Sequence, residues 1–414
     1  MKLRKSKIQN IVFVYFIFIL IGYTVYTVNT SYISDYLRQT PKGLMTVYFF
    51  IFILIFLYSI SQIKILLKSD LFTLICVYLI LVLIQLTNVV YEATFNEYVK
   101  SILFCTQWIN FLLLGVIIGY YNQNIEKISA MLLICVLPFL MINLIKLYQE
   151  SSNIIYWHNP DFFFSIIIFL PFILLLNNKI IKVLLIIISG IIAYISMKRS
   201  IIIGYTFAIL IYLILQLTLS KKNILKQNTK KNQTFIILLL VIFAIIIFRQ
   251  INTFVFKEMP ITPLQRFEMI NETGGSGRVD IYKTIWKNIY YGDFYHFLFG
   301  HGYKAVLKIN DDMLAHNDLL EIFYDFGFLV LFVFILIAIK ILSYGFKMLK
   351  RNDRLYFSQI ISAFFAGYLL WIILGSLNCF IYSVVYFPIM ALFFGIIIGF
   401  YHNPFRIKNM IDIQ

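Results

Sequence analysis

Charge is scarce in this 414-residue chain: Asp, Glu, Lys and Arg make up 13% of it, and hydrophobic residues 61%. An average soluble domain carries about 25% charged residues, so a soluble globular fold is excluded. Cysteine is scarce too, and Cys76, Cys105, Cys135 and Cys379 all fall inside apolar stretches with no CxxC or Cys/His spacing. That removes a disulfide framework and a cysteine metal site, leaving four small buried apolar side chains. There is no Asp-x-Asp for a metal-bound nucleotide sugar, no P-loop and no GxSxG. The adjacent Asp311 and Asp312 read as a solvated loop edge, so no metal site is assigned and no cofactor is expected.

What fills the chain instead is apolar sequence, with 42 Phe and 29 Tyr among Ile and Leu runs and a mean hydropathy of +0.87. A hydrocarbon core of about 30 Å needs about 20 apolar residues per helix, and that ruler yields an all-α polytopic membrane protein of about 12 spans. They fall near residues 11–28, 44–62, 71–90, 101–120, 129–147, 162–177, 181–196, 200–219, 234–250, 318–341, 357–377 and 380–401. The start, MKLRKSKIQN, precedes an apolar run without a small-x-small cleavage site, and reads as an uncleaved first span. No predicted span centre carries a carboxylate, which weighs against a proton-coupled transporter.

The net charge of +16 could suggest nucleic acid, but Lys and Arg lie in short clusters between apolar runs, as membrane topology requires. With both termini in the cytoplasm, the inner segments sum to +17 and the outer ones to −1. SKKNILKQNTKKNQ and KMLKRNDR, the two most basic loops, then both lie inside. Three regions follow: residues 1–250 with spans one to nine, an extracytoplasmic loop over 251–317, and 318–414 with the last three spans. Within the loop, RVDIYKTIWKNIYY predicts an amphipathic helix with Val279, Tyr282, Ile285, Trp286, Ile289 and Tyr290 on one stripe. Such a helix suits the membrane surface or a cap on the bundle.

Three outer features carry possible chemistry. Lys198-Arg199, in a tight turn before the eighth span, breaks the positive-inside tendency; an anionic lipid-linked ligand or a snorkelling pair at the headgroups accounts for it. In TGGSGR, the glycines Gly274, Gly275 and Gly277 precede Arg278 at a helix start, where main-chain N–H groups and a guanidinium suit phosphate, although a flexible turn with a solvated Arg has the same spelling. Arg266 is a further outer cation. In LAHNDLLEIFYDFG, His316 stands where the loop enters span ten, with Asn317 or Asp318 available to cap that helix. A neutral imidazole there can take a proton from a sugar hydroxyl, or merely bond the backbone. His158 is also outside, and the glycines around His301 mark it as part of a tight turn. Gly395 and Gly399 form a GxxxG in the last span, read as helix packing.

Taken together, an Arg beside a span, an outer loop with SGR before a Trp-bearing helix, FGHG, and AHNDLLEIFYDFG resemble the O-antigen polymerase and ligase family over roughly residues 155–340. HNPDFFFS is similar to that family's Asn-Pro-Asn segment, with Asp161 in the last position, and Lys198 stands where many members have Ser. The resemblance implies a GT-C-like helical glycosyltransferase in the bacterial cytoplasmic membrane. It implies inverting, metal-independent transfer on the outer face, from undecaprenyl-pyrophosphate-linked oligosaccharides. Arg199, Arg278, Lys198 and Arg266 would hold the pyrophosphate and His316 would act as base. Gly277, Asn317, Asp318, Glu321 and His158 would support the site, and Asp312, Asp318 or Glu321 would orient the imidazole. The expected partners are the lipid-linked glycan, membrane lipids, and a chain-length regulator and flippase of the same pathway; nucleic acid is not among them. A repeat-unit polymerase is favoured over a ligase that moves finished glycan to lipid A core or protein. A lipid-linked-glycan flippase is the alternative of another class.

Overall fold

The computed structural model describes residues 42–89, 95–122, 124–134, 160–196, 198–220, 268, 277–310, 313–350, 357–382 and 386–403. The predicted spans 11–28 and 234–250 lie outside these residues, as does most of 129–147. Among the described residues every regular element is a helix. Besides a single helical turn at Ile63–Leu66, the principal ones in chain order are α1 (Lys42–Ser61), α2 (Leu71–Val89), α3 (Phe95–Tyr121), α4 (Pro160–Ile167), α5 (Leu170–Leu174), α6 (Lys179–Ile195) and α7 (Arg199–Ser220). The loop contributes α8 (Arg278–Tyr291), α9 (Phe294–Phe299) and α10 (Ala305–Ile309), and α11 (Asp318–Lys350), α12 (Ser358–Leu377) and α13 (Tyr386–Tyr401) follow. By length and composition Arg199–Leu219, α11 and α12 can each cross a membrane, and shorter apolar helices accompany them.

The bundle is centred on α13, buried from Tyr386 to Phe400. It lies against α3 so closely that a Cβ on Gly115, Gly119, Gly395 or Gly399 would overlap main-chain atoms of the opposite helix. Small residues four apart on both partners let the two backbones touch, which maximises dispersion contact where lipid offers no hydrophobic driving force. Beside this seam Trp108 packs on Tyr78 (ring centroids 5.3 Å apart) and on Phe387 (5.0 Å), and Phe387 stacks on Trp371 (5.5 Å). Four helices thus meet in one aromatic layer. Facing outward, Phe207, Leu210, Ile214 and Leu217 on α7, and Phe328, Phe332, Ile335 and Ile339 on α11, are exposed apolar stripes. That is the surface a bilayer covers.

Polar contacts sort the loops between two ends. Asp70 lies between Lys340 and Lys347 at 3.0 and 3.3 Å. Lys68 Nζ donates to the Tyr120 hydroxyl at 2.7 Å, Asn177 donates to Glu126, and Asn403 Nδ2 donates to the Asn122 carbonyl at 3.0 Å. These are segments the charge count assigns to the cytoplasm, and they share one end. Exposed ion pairs contribute about 1 kcal/mol or less, so the Asp70 pair marks the common end more than it holds it together. Lys198, Arg199 and the loop helices gather at the other end.

Several predicted boundaries are corrected. Span 162–177 is two helices, because the chain turns at Ile168-Phe169 and Pro171, in the first turn of α5, has no N–H to continue the ladder. The predicted span 380–401 begins only at Tyr386, and Asn378–Tyr382 is non-helical loop. Span 318–341 extends to Lys350 and is broken at Gly327, with φ 79° and ψ 177°, a conformation open essentially to glycine alone. Gly327 and Gly300 (φ 75°) meet back to back, so the FGHG loop locks onto the break in α11.

The amphipathic helix is α8, but its buried stripe is Ile281, Ile285 and Ile289, with Val279, Trp286 and Tyr290 exposed. Two i, i+4, i+8 rows were available on this amphipathic helix, Ile281, Ile285 and Ile289 or Tyr282, Trp286 and Tyr290. The isoleucine row won because it meets Ala305 and Val306 of α10, Ala315, and Leu320, Phe323 and Tyr324 of α11 in one apolar cluster.

Candidate active site

Three separate segments converge at the end of the bundle that carries the loop helices. Lys198 and Arg199 lie at the turn into α7, where the Lys198 N–H donates to Ser196 Oγ at 3.2 Å. One residue further, Ser200 Oγ lies 3.4 Å from Asn378 Oδ1, fixing the start of α7 beside the loop after α12. Arg278 is the first residue of α8, launched by Gly277 in the left-handed conformation (φ 79°). A Cβ at Gly277 would meet nothing, so it is the backbone angle that asks for glycine here. His316 follows α10 and immediately precedes the cap of α11.

Arg278 lies within electrostatic range of Arg199, and His316 within range of Arg278 and Lys198. Arg278 has its pKa lowered by burial first and then by the charge of Arg199, with Tyr282 opposing. His316 is held below its ordinary value by burial, then by the charges of Arg278 and Lys198. A half-buried cluster of three cations repels itself and gains when an anion enters. The same charges keep the His316 imidazole neutral, and able to accept a proton, at lower pH than a free histidine.

His316 is strained. Its φ of 53° is left-handed, shared among non-glycine residues only with Lys304 in the described chain. For an L residue that costs roughly 1 to 2 kcal/mol, and it persists where the surroundings over-determine it. They do so here. The Tyr282 hydroxyl donates to the His316 carbonyl at 3.4 Å, and the Ala315 N–H donates to Glu321 Oε2 at 2.6 Å. Asn317 donates through Nδ2 to the Ser376 carbonyl at 3.1 Å while its Oδ1 caps α11 by accepting from the Leu320 N–H at 3.1 Å.

The structure thus brings together Lys198, Arg199, Gly277, Arg278, His316 and Asn317 of the expected set. Arg266, His158, Asp311 and Asp312 lie outside the described residues. Asp318 is redirected: its Oδ1 accepts from the Phe380 and Ile381 N–H groups at 2.5 and 2.9 Å, anchoring the loop after α12. Glu321 likewise spends Oε2 on the Ala315 N–H rather than on an imidazole nitrogen. His301 is packed between His296 and Tyr324 with ring centroids 4.4 and 4.3 Å away, in keeping with a turn residue. Asp325 was not singled out from the sequence. It accepts from the Lys304 and Val306 N–H groups at 2.8 and 3.1 Å and from the Tyr382 hydroxyl. Its place just before Gly327 was the available signal.

Residues 184–335 match the family model described as O-antigen ligase. The match supports the O-antigen polymerase and ligase family. It covers the turn at Lys198-Arg199, the whole loop and the break at Gly327, so every described site residue lies within it. O-antigen polymerases and ligases are glycosyltransferase-like enzymes, and the family implies lipid-linked glycan substrates and a bacterial inner-membrane location. No curated protein and no solved structure matches the chain.

Proposed function

We propose that the protein joins oligosaccharide repeat units carried on polyprenyl pyrophosphate, by inverting, metal-independent glycosyl transfer at the outer face of the cytoplasmic membrane. The observation that carries this reading is the meeting of Lys198, Arg199 and Arg278 with His316, one base beside three cations at one end of the bundle. The acceptor hydroxyl attacks the anomeric carbon and gives its proton to the neutral imidazole. The bond from that carbon to the pyrophosphate oxygen breaks, and the electron pair leaves with the lipid pyrophosphate. Negative charge grows on the leaving group as the bond lengthens, so the arginines and Lys198 bind the transition state more strongly than the ground state. Direct displacement inverts the anomeric centre.

Among the described residues the cations of this cluster gather at one end of the bundle instead of lining a path through it, which favours an enzyme over a flippase. A second reading, transfer of finished glycan to another acceptor, is favoured by one observation, the ligase description of the matched family. The lipid-linked glycans of a deletion strain decide between them. Single repeat units accumulate if the protein is a polymerase, and long unattached chains accumulate if it is a ligase. An unchanged pool of lipid-linked glycan would refute both.

A further inference from the structure

The first turns of α11 carry three buried carboxylates, Asp318, Glu321 and Asp325. Two of them hold other segments: Asp318 the one at Phe380-Ile381, and Asp325 the one at Lys304–Val306. Glu321 is different, because the backbone group it binds belongs to the residue immediately before His316. Its other oxygen, Oε1, is buried without a nitrogen or oxygen partner among the described residues, and the weakly donating Cys379 thiol lies beside the carboxyl group. Leucine would fill such a position without leaving a buried acceptor unsatisfied, so packing does not explain a glutamate there. The bond from the Ala315 N–H, at 2.6 Å, holds the peptide that leads into a histidine with φ 53°.

We propose that Glu321 is a positioning residue for the transfer reaction: by accepting the Ala315 N–H it fixes the left-handed turn that aims the His316 imidazole at the acceptor hydroxyl. This rests on the reading of His316 as the base. The backbone at His316 is then pinned on both sides, by Glu321 before it and by Tyr282 and Asn317 at and after it. Reach, not charge, is what the role requires. Aspartate keeps the carboxylate but withdraws it by about one carbon–carbon bond, ~1.5 Å. Glutamine removes the ionisable group but keeps an acceptor at the same reach.

The test is steady-state transfer by the purified full-length protein in liposomes, with polyprenyl-pyrophosphate-linked repeat unit as donor, for Glu321→Asp, Glu321→Gln and His316→Ala, singly and combined. Misplacing a catalytic group by about 1 Å costs on the order of 10²-fold, so Glu321→Asp is expected to lower kcat roughly 10- to 100-fold with donor KM nearly unchanged. Glu321→Gln is expected to stay within about 5-fold of the wild type. In the His316→Ala background, Glu321→Asp should add no further loss, because it acts only through the imidazole. Full activity in Glu321→Asp, a loss in Glu321→Gln as large as in His316→Ala, or losses that multiply in the double variant would each overturn the positioning role while leaving the base in place. A fully active His316→Ala protein would overturn the base, and the positioning with it.

Discussion

Replacing Arg278 by Ala tests the cluster of cations in two ways at once. Arg278 is half-buried beside Arg199 and within range of His316, so it acts on the anion and on the base. A unit charge pair about 4 Å apart is worth about 4 kcal/mol at an effective dielectric of about 20. Part of that is returned in the variant, because the empty site loses the repulsion between Arg278 and Arg199 and water fills the gap. A net loss of about 1.5 to 3 kcal/mol of transition-state stabilisation remains, or roughly 10- to 150-fold in rate. Arg278→Lys keeps the charge without the planar fork and falls between the two.

The second effect is on pH. Arg278 is one of the charges that hold the His316 pKa down, after burial, so removing it raises that pKa. The neutral base then becomes scarcer at a given acid pH, and the acid limb of the rate profile moves to higher pH. Transfer measured across pH with purified variants reads both. A lower plateau with an unmoved acid limb would show that His316 is not the titrating base, and an unchanged plateau would remove the anion clamp.

Two further outcomes follow from the fold. In a variant lacking the native cysteines, Cys at Lys287, exposed on α8, should react with an impermeant reagent in intact cells, and Cys at Lys64, exposed at the other end, should not; the reverse pattern would invert the topology. Gly119→Leu and Gly399→Leu force a side chain into the main chain of the facing helix, an overpacking of at least about 1 to 3 kcal/mol, and should lower the melting temperature of the detergent-solubilised protein; unchanged melting would refute the close α3–α13 seam.

Local pattern made much of this visible in the sequence. Hydropathy marks α1, α2, α7 and α12 nearly to their ends, because a lipid-facing helix must be apolar over its whole length. The four polar residues of the site, Lys198, Arg199, Arg278 and His316, stand out because a cation or imidazole at a span edge has few structural reasons to be there. What stayed hidden depends on contacts between distant segments. Gly395 and Gly399 suggest a close packing partner, but nothing in the sequence names Gly115 and Gly119 as its other half. Gly327 reads as one more small residue in an apolar run, and only its apposition to Gly300 reveals the break in α11. Of the stripe expected on α8, Ile285 and Ile289 are buried and Tyr282 packs beside them, while Val279, Trp286 and Tyr290 are exposed, because apolar residues occupy both flanks and α10 and α11 decide which flank is buried. Glu321 reads as a partner that orients the imidazole, whereas its Oε2 accepts from the Ala315 N–H, a contact that no spacing in the sequence shows.

The most direct test of the account is donor consumption by the purified protein in liposomes containing polyprenyl-pyrophosphate-linked repeat units. The wild type should release polyprenyl pyrophosphate and lengthen the glycan with inverted anomeric configuration, and EDTA should not change the rate. His316→Ala should be slower by roughly 10²- to 10⁴-fold with little change in donor binding. A folded wild-type protein that leaves the donor intact, or a His316→Ala protein that consumes it at the wild-type rate, would contradict the account.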